Sequence, residues 1–128
     1  MSDPKKTPLH AWHAASGANM ADFGGYEMPL WYTSVKNEHL AVLTSAGIFD
    51  TSHMAAVTVS GSAATDLVQQ CFSNDLAACM GPQKKPLADG RCVYGTFLNA
   101  QGHVIDDAIV FQVAANDYFI VVNAGMGA

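Results

Sequence analysis

A block near the C-terminus most constrains the fold, because it has the pattern of three strands joined by two tight turns. The segments "RCVYGTFLNA", "HVIDDAIVFQVA" and "YFIVVNA" are rich in β-branched and aromatic residues. Short polar turns at Gln101-Gly102 and Asn116-Asp117 separate them, and turns of this length join neighbouring antiparallel strands. The pattern predicts a three-stranded antiparallel meander.

The preceding residues predict short helices and strands. The first expected element is a helix capped by Thr7, with Pro8 at its first position, that ends near Gly17. Two extended segments around Gly24-Gly25 follow, and then a helix capped by Ser34 that ends at Gly47. The last two are a strand over residues 54–60 and a helix from Gly61-Ser62 through Cys71. A loop over about residues 80–90 leads into the meander. Helices that precede a block of strands indicate the α+β class, with a mainly antiparallel sheet and flanking helices.

Composition narrows the class of function. Half of the 128 residues are hydrophobic and 13% are charged, which is typical of a domain with a buried core. The net charge of −5, without a stripe of basic residues, argues against nucleic acid as a partner. No apolar run reaches the roughly 18 residues of a membrane span, and the N-terminus "MSDPKKTP" has no targeting pattern. We therefore expect a cytoplasmic protein without a membrane partner.

Neither a metal site nor a disulfide is predicted. The cysteines are three in number, lack CxxC spacing and are expected to be reduced thiols: Cys71, Cys79 and Cys92. His10 and His13 lie three residues apart on a predicted helix, but no third ligand has a suitable spacing, so they are expected at the surface or as caps. Asp50 and His53 are interpreted as a polar structural cluster.

The paired aspartates Asp106 and Asp107 interrupt an apolar strand. Neighbouring side chains on a strand leave opposite faces, so the two carboxylates are expected to point in opposite directions. Because both faces are mostly apolar, at least one carboxylate should point away from bulk water, and an unpaired buried carboxylate costs several kcal/mol. A ligand or a structural hydrogen-bond partner would offset that cost.

The end of the chain carries a further expectation. The chain stops soon after the apolar strand "YFIVVNA", and a last strand that is not covered is a liability for pairing. We therefore interpret residues 1–128 as the N-terminal part of a longer protein whose C-terminal remainder is absent.

Four successive blocks resemble the aminomethyltransferase (T-protein) family of the glycine cleavage system. They are "TPLHAWHAASGANMADFGGYEMPLWY", "NEHLAVLTSAGIFDTSHM", "YGTFLNAQGHVIDDAIVF" and "YFIVVNAG". The resemblance implies a tetrahydrofolate-dependent transfer, in which an aminomethyl group on the lipoyl arm of the H-protein is passed to folate, ammonia is released and methylenetetrahydrofolate is formed. It covers only the N-terminal third of that family, so little activity and weak folate binding are expected of this chain alone.

The resemblance also implies site residues. Asp106 matches the catalytic aspartate of the family, whereas Asp107 is expected to be structural. Tyr94 matches a position that the family uses near the pterin. From their own chemistry, Met54 is expected to pack its thioether on the pterin ring and Asn123 to hydrogen-bond the ligand, so that all three bind folate together with Asp106. The alternatives are that Asp106 only accepts hydrogen bonds from backbone N–H groups or a cationic side chain, that Met54 and Tyr94 are core residues, and that Asn123 ends its strand.

Two other functions stay open at this point. One is a related folate-dependent enzyme, such as a demethylase domain. The other is a folate-binding module without catalytic activity.

Overall fold

The computed structural model describes residues 3–124. The chain divides into two compact units, Met1–His53 and Met54–Ala128. The first five elements belong to the N-terminal unit: β1 (Lys5–Lys6), α1 (His10–Ala15), β2 (Asn19–Phe23), β3 (Tyr26–Trp31) and α2 (Val35–Thr44). Its sheet has the order β1-β3-β2, with β1 parallel and β2 antiparallel to β3.

The turn between β2 and β3 depends on glycine. Gly24 and Gly25 have φ angles of 60° and 82°, a left-handed conformation that costs glycine little because it lacks a Cβ atom. The Gly25 amide also donates to the Asp22 carboxylate at 3.1 Å. The predicted pair of extended segments around these glycines is therefore present as a hairpin.

The C-terminal unit is a four-stranded antiparallel sheet with one helix. Its elements are β4 (Ala55–Ser60), α3 (Ala64–Cys71), β5 (Arg91–Leu98), β6 (Val104–Ala114) and β7 (Asp117–Val122). The strand order is β4-β7-β6-β5. The predicted meander corresponds to β5, β6 and β7, and together with the helices it confirms the α+β class.

The core of this unit lies between α3 and one face of the sheet. Nine buried residues form it: Ala64, Val68, Phe72, Leu76, Leu87, Ala108, Val110, Tyr118 and Ile120. Gly95 on β5 permits the close approach of Phe72, since a Cβ atom at that position would lie 2.5 Å from the Phe72 ring. Of the two faces predicted for β6, the face with Ala108 and Val110 is therefore the core face.

Some predicted boundaries are wrong. Helix α1 begins at His10, not at Pro8, and the Thr7 hydroxyl donates to Asp50 at 3.3 Å and does not cap the helix. Helix α2 ends at Thr44 and not at the predicted Gly47. Its predicted N-terminal cap is confirmed, because the Ser34 hydroxyl accepts a hydrogen bond from the Asn37 amide at 3.1 Å.

The last strand is not an edge strand, so the expectation of an uncovered strand is wrong. β7 pairs with β6 on one side and with β4 on the other, from Ala55 opposite Val122 to Ser60 opposite Asp117. β4 comes from a distant part of the sequence, and local pattern carries no information about such a pairing. The final residues 125–128 lie outside the described residues.

Candidate functional site

Strand pairing brings the predicted site residues to one end of the C-terminal sheet. Ala108 of β6 lies opposite Val122 of β7, so Asp106, Asp107 and Asn123 all lie close to the end of that pair. Hydrogen bonds join these three residues and Tyr94 into one group, which we call the sheet-end network.

Asp106 is held through both carboxylate oxygens by a single residue. Its Oδ2 accepts from the Asn123 backbone amide at 2.9 Å, and its Oδ1 accepts from Asn123 Nδ2 at 2.8 Å. The side chain is only half-buried. The backbone N–H contact considered in the alternative reading of Asp106 is thus present, but each oxygen keeps a further lone pair for another donor.

Asp107 belongs to the same network. Its Oδ1 accepts from Asn123 Nδ2 at 2.8 Å and its Oδ2 accepts from the Tyr94 hydroxyl at 2.9 Å. In the backbone, Asp106 lies opposite Phe97 and Asp107 opposite Thr96, which agrees with the predicted alternation. The two carboxylates nevertheless share one partner, because Asn123 lies beyond the last paired residue of β7 and its side-chain amide contacts both.

The Tyr94 hydroxyl is a donor at the exposed side of the network. Its side chain is 62% exposed, so the core position considered for Tyr94 is wrong. The hydrogen bond to Asp107 and the negative charge of that carboxylate raise the pKa of Tyr94, which keeps the phenol protonated at neutral pH.

Met54 lies at the same end of the sheet but takes no part in these hydrogen bonds. It directly precedes β4, whose first residue, Ala55, lies opposite Val122. Met54 is half-buried. Its thioether is of the soft, adaptable kind that packs well against flat rings.

A second polar group, in the N-terminal unit, was not predicted as a unit. His13 is only 3% exposed; its Nε2 donates to Asp50 at 2.8 Å and its Nδ1 lies 2.6 Å from the Tyr32 hydroxyl. Asp50 also accepts from Thr7 and from the amide and hydroxyl of Ser52. We call these five residues the His13 cluster. The expectation that His13 is a surface or cap residue is wrong, because its two partners lie 19 and 37 residues away.

The His13 cluster keeps Asp50 ionised. Burial alone would raise the pKa of the Asp50 carboxyl, but hydrogen bonds from Ser52, His13 and Thr7 outweigh it and lower the pKa to about 2. Because an ionised carboxylate can only accept, His13 Nε2 carries a proton. Burial and the charges of Asp50 and Glu38 raise the pKa of Tyr32.

His53 does not join Asp50 as predicted. Its ring packs edge-on against Phe23, with ring centroids 5.4 Å apart. Its buried Nδ1 has no hydrogen-bond partner among the described residues. The polar structural cluster predicted for Asp50 and His53 therefore contains Asp50 but is completed by residues from other segments.

Two cavities among residues 3–124 are lined by residues outside the sheet-end network. A cavity of about 1010 Å³ in the N-terminal unit is lined mainly by apolar side chains and also by His13, Tyr32 and Asp50. A cavity of about 460 Å³ in the C-terminal unit is lined by residues that include Thr65, Leu76 and Leu87. The sheet-end network is nevertheless open to solvent, because Tyr94 is largely exposed and both aspartates are only half-buried.

Two further observations concern residues 3–124. These residues contain no group of three or more His, Cys, Asp or Glu side chains suited to hold a metal ion. None of their helices is both long enough and apolar enough to span a membrane.

Comparison with known proteins identifies the family. Residues 9–128 match the family described as the GCVT N-terminal domain, and the chain belongs to this family. It is 46% identical over 126 residues to an aminomethyltransferase of Bordetella parapertussis, which covers 98% of this chain and 32% of that protein. An aminomethyltransferase of Chlorobaculum tepidum is 43% identical over 120 residues, which cover 94% of this chain and 31% of the relative.

A solved structure supports the same assignment. The glycine cleavage system aminomethyltransferase T from Bartonella henselae superposes with a TM-score of 0.82 at 33% identity, covering 96% of this chain and 32% of that one. The resemblance inferred from the sequence is thereby confirmed at the level of the family. The chain spans about a third of the length of these relatives.

Proposed function

We propose that this chain forms the N-terminal part of a tetrahydrofolate-dependent aminomethyltransferase of the glycine cleavage system. The substrates would be the aminomethyl group on the lipoyl arm of the H-protein and tetrahydrofolate, and the products ammonia, the reduced lipoyl thiol and methylenetetrahydrofolate. Support comes from membership of the GCVT N-terminal domain family and from relatives named aminomethyltransferase. This chain spans about a third of the length of those proteins, which supports the view that the activity requires additional residues.

The observation that carries the proposal is the way Asp106 is held. Asn123 binds both of its carboxylate oxygens from one side, while the half-exposed side chain keeps acceptor capacity on the other. A carboxylate oriented in this way can accept a hydrogen bond from a ring N–H, hold a proton and stabilise developing positive charge.

The other residues at the sheet end fit a reduced pterin. Asp106, Asp107 and the Asn123 carbonyl oxygen are hydrogen-bond acceptors, and a reduced pterin ring carries several N–H donors. Met54 offers a thioether surface for the flat ring. When bound, tetrahydrofolate supplies the nitrogen atoms that take up the one-carbon unit. We propose that Asp106 acts on the protons and charge at these nitrogens, and that Met54, Tyr94 and Asn123 contribute to binding.

The proton balance of the transfer defines the role that we propose for Asp106. The C–S and C–N bonds of the aminomethyl thioether break, two C–N bonds to folate form, and two N–H protons of folate leave with the thiol and ammonia. A carboxylate near the reacting nitrogens favours this loss of protons. The reaction needs no metal ion in this scheme, and we place the protein in the cytoplasm, in keeping with its unpaired cysteines.

The test is an activity measurement in a full-length enzyme made by joining residues 1–128 to the remaining two thirds of the Bordetella parapertussis relative. Asp106→Asn keeps the size of the side chain but removes its charge and basicity. We expect the turnover of methylenetetrahydrofolate to fall about 10²-fold or more, the scale for losing a positioned acid–base or electrostatic group.

The matched control is Asp117→Asn at the opposite end of β7, where Asp117 pairs with Ser60. This change should leave turnover unaltered. Wild-type turnover in Asp106→Asn would contradict the catalytic role. A folded parent enzyme that binds tetrahydrofolate but transfers no aminomethyl group would instead support a folate-binding module.

A further inference from the structure

Asp107 is the residue whose contacts strand alternation does not explain. It lies on the opposite backbone face from Asp106, yet its two oxygens accept from Asn123 Nδ2 at 2.8 Å and from the Tyr94 hydroxyl at 2.9 Å. We propose that Asp107 is a positioning residue of the reaction site, which acts on Asp106 through the side-chain amide of Asn123. This inference rests on the function proposed above.

The first step is the orientation of the Asn123 amide. Its Nδ2 lies 2.8 Å from Asp106 Oδ1 and 2.8 Å from Asp107 Oδ1. The NH₂ group is the donating end of the amide, so it faces both aspartates and the carbonyl oxygen faces away. The two NH₂ hydrogens are then shared between two carboxylates, and Asn123 presents only an acceptor to a ligand.

The second step is what the amide does for Asp106. Asp106 Oδ2 is held by the Asn123 backbone amide, which the strand end fixes, whereas Oδ1 is held by a side chain that can rotate. Without the Asp107 carboxylate, that side of Nδ2 would keep only its longer contact of 3.3 Å to the Asp107 backbone carbonyl oxygen, and the amide would be less firmly held. Asp106 would then keep one firm bond in place of two, and its carboxylate plane would no longer be defined.

The third step is how Asp107 itself is held. The Tyr94 hydroxyl donates to Asp107 Oδ2 from β5, while Asn123 contacts Oδ1 from the end of β7. The sheet-end network therefore links three neighbouring strands, β5, β6 and β7. Hydrogen-bonded networks of this kind have more effect together than their separate bonds, and a displacement of about 1 Å at a reacting group costs about 10²-fold in rate.

Two substitutions at position 107 separate positioning from charge. Asp107→Val suits a strand and removes both carboxylate acceptors, leaving only the backbone carbonyl contact of 3.3 Å to Asn123. Asp107→Asn removes the charge but can keep both contacts, since its carbonyl oxygen can accept from Asn123 and its NH₂ group can donate to the Tyr94 oxygen. In the full-length enzyme described above, we expect Asp107→Val to lower kcat about 10-fold or more and to raise KM for tetrahydrofolate, with Asp107→Asn within about 3-fold of wild type.

Controls exclude a loss of folded enzyme. Rates are expressed per folded molecule after a thermal unfolding measurement on each variant, and Asp117→Val on the neighbouring strand should leave kcat and KM unchanged. If Asp107→Val does not fold, Asp107→Thr replaces it, because the threonine hydroxyl is too short to reach Asn123 and a Thr–Thr pair with Thr96 suits the sheet.

The outcomes distinguish this inference from the proposed function. Wild-type kinetics in Asp107→Val, with an inactive Asp106→Asn, would overturn the positioning role and leave the proposed function intact. Equal losses in Asp107→Val and Asp107→Asn would also overturn it, because charge and not geometry would then matter. Wild-type turnover in Asp106→Asn would overturn the proposed function itself. Near-wild-type kcat and KM in Asp107→Asn, together with a loss in Asp107→Val, support the inference.

Discussion

The His13 cluster and the sheet-end network both hold carboxylates with several hydrogen bonds, but they differ in exposure. The side chains of His13 and Asp50 are each only 4% exposed. Asp106 and Asp107 are half-buried, and Tyr94 beside them is largely exposed. The N-terminal unit thus contains a closed polar group, and the C-terminal unit an open one.

This difference in exposure distinguishes a carboxylate that stabilises the fold from a carboxylate that is able to bind a ligand. In the His13 cluster, donors from within the unit meet the needs of Asp50, so its contribution is to stability. In the sheet-end network, Asn123 contacts both aspartates and Tyr94 contacts Asp107, so each carboxylate oxygen accepts one of these hydrogen bonds and keeps a further lone pair. A ligand can use those atoms without breaking an existing bond, whereas a ligand at Asp50 would have to displace one.

The largest expected effect is the loss of stability on removing Asp50. Asp50→Ala leaves the buried donors of His13 and Thr7 without their acceptor, and each unsatisfied buried donor costs about 1–3 kcal/mol in the free energy of unfolding. Both tryptophans, Trp12 and Trp31, lie in the N-terminal unit, so tryptophan fluorescence in a denaturant titration measures this effect.

Two variants sharpen that measurement. Asp22→Ala removes an exposed carboxylate with a single bond, to Gly25, and should cost about 1 kcal/mol or less. Asp106→Asn, in the other unit, should barely change the same transition. If Asp50→Ala were no more destabilising than Asp22→Ala, the closed polar group would not be a stabilising one.

The second expected effect concerns association of the isolated chain. The N-terminal unit exposes large apolar side chains: Ile48 is fully exposed and Phe49 is 69% exposed. Burial of such side chains contributes roughly 1.5–3 kcal/mol each, so we expect the chain to self-associate. The cause is this surface and not the last strand, which is paired on both sides.

Light scattering against concentration tests this expectation. Ile48→Lys should weaken association about tenfold or more, the change that corresponds to about 1.4 kcal/mol. Ile105→Lys, at a partly exposed position of the C-terminal unit, is the matched control and should have a smaller effect. A strictly monomeric wild-type chain at high concentration would contradict the prediction.

The smallest expected effect is the response to acid. The folded-state pKa of Asp50, about 2, lies below its ordinary value of 3.8. The stabilisation that this charge provides is therefore complete above about pH 4 and is lost as the pH falls toward 2. Unfolding of the N-terminal unit, followed by tryptophan fluorescence, should show this decline, and Asp50→Asn should lack it. A wild-type stability that is flat from pH 4 to 2 would disagree with the hydrogen bonds assigned to Asp50.

The sequence by itself determined the local elements of this protein. The alternation of apolar residues and the polar turns at residues 101–102 and 116–117 predicted the meander, and Ser34 predicted the start of α2, because these features depend only on neighbouring residues. The family was recognisable from four ordered blocks of residues. The same blocks indicated Asp106 as the candidate catalytic residue, which stays a prediction.

The tertiary structure decided the long-range contacts. The insertion of β4 beside β7, the meeting of His13 with Asp50, and the convergence of Asp106 and Asp107 on Asn123 each join segments that are distant in the chain. Strand alternation assigns a side chain to a face of the sheet but says nothing of what lies beyond the end of a neighbouring strand. Which distant segments come together depends on the burial and hydrogen bonding of the whole unit, a sum that no single stretch of sequence contains.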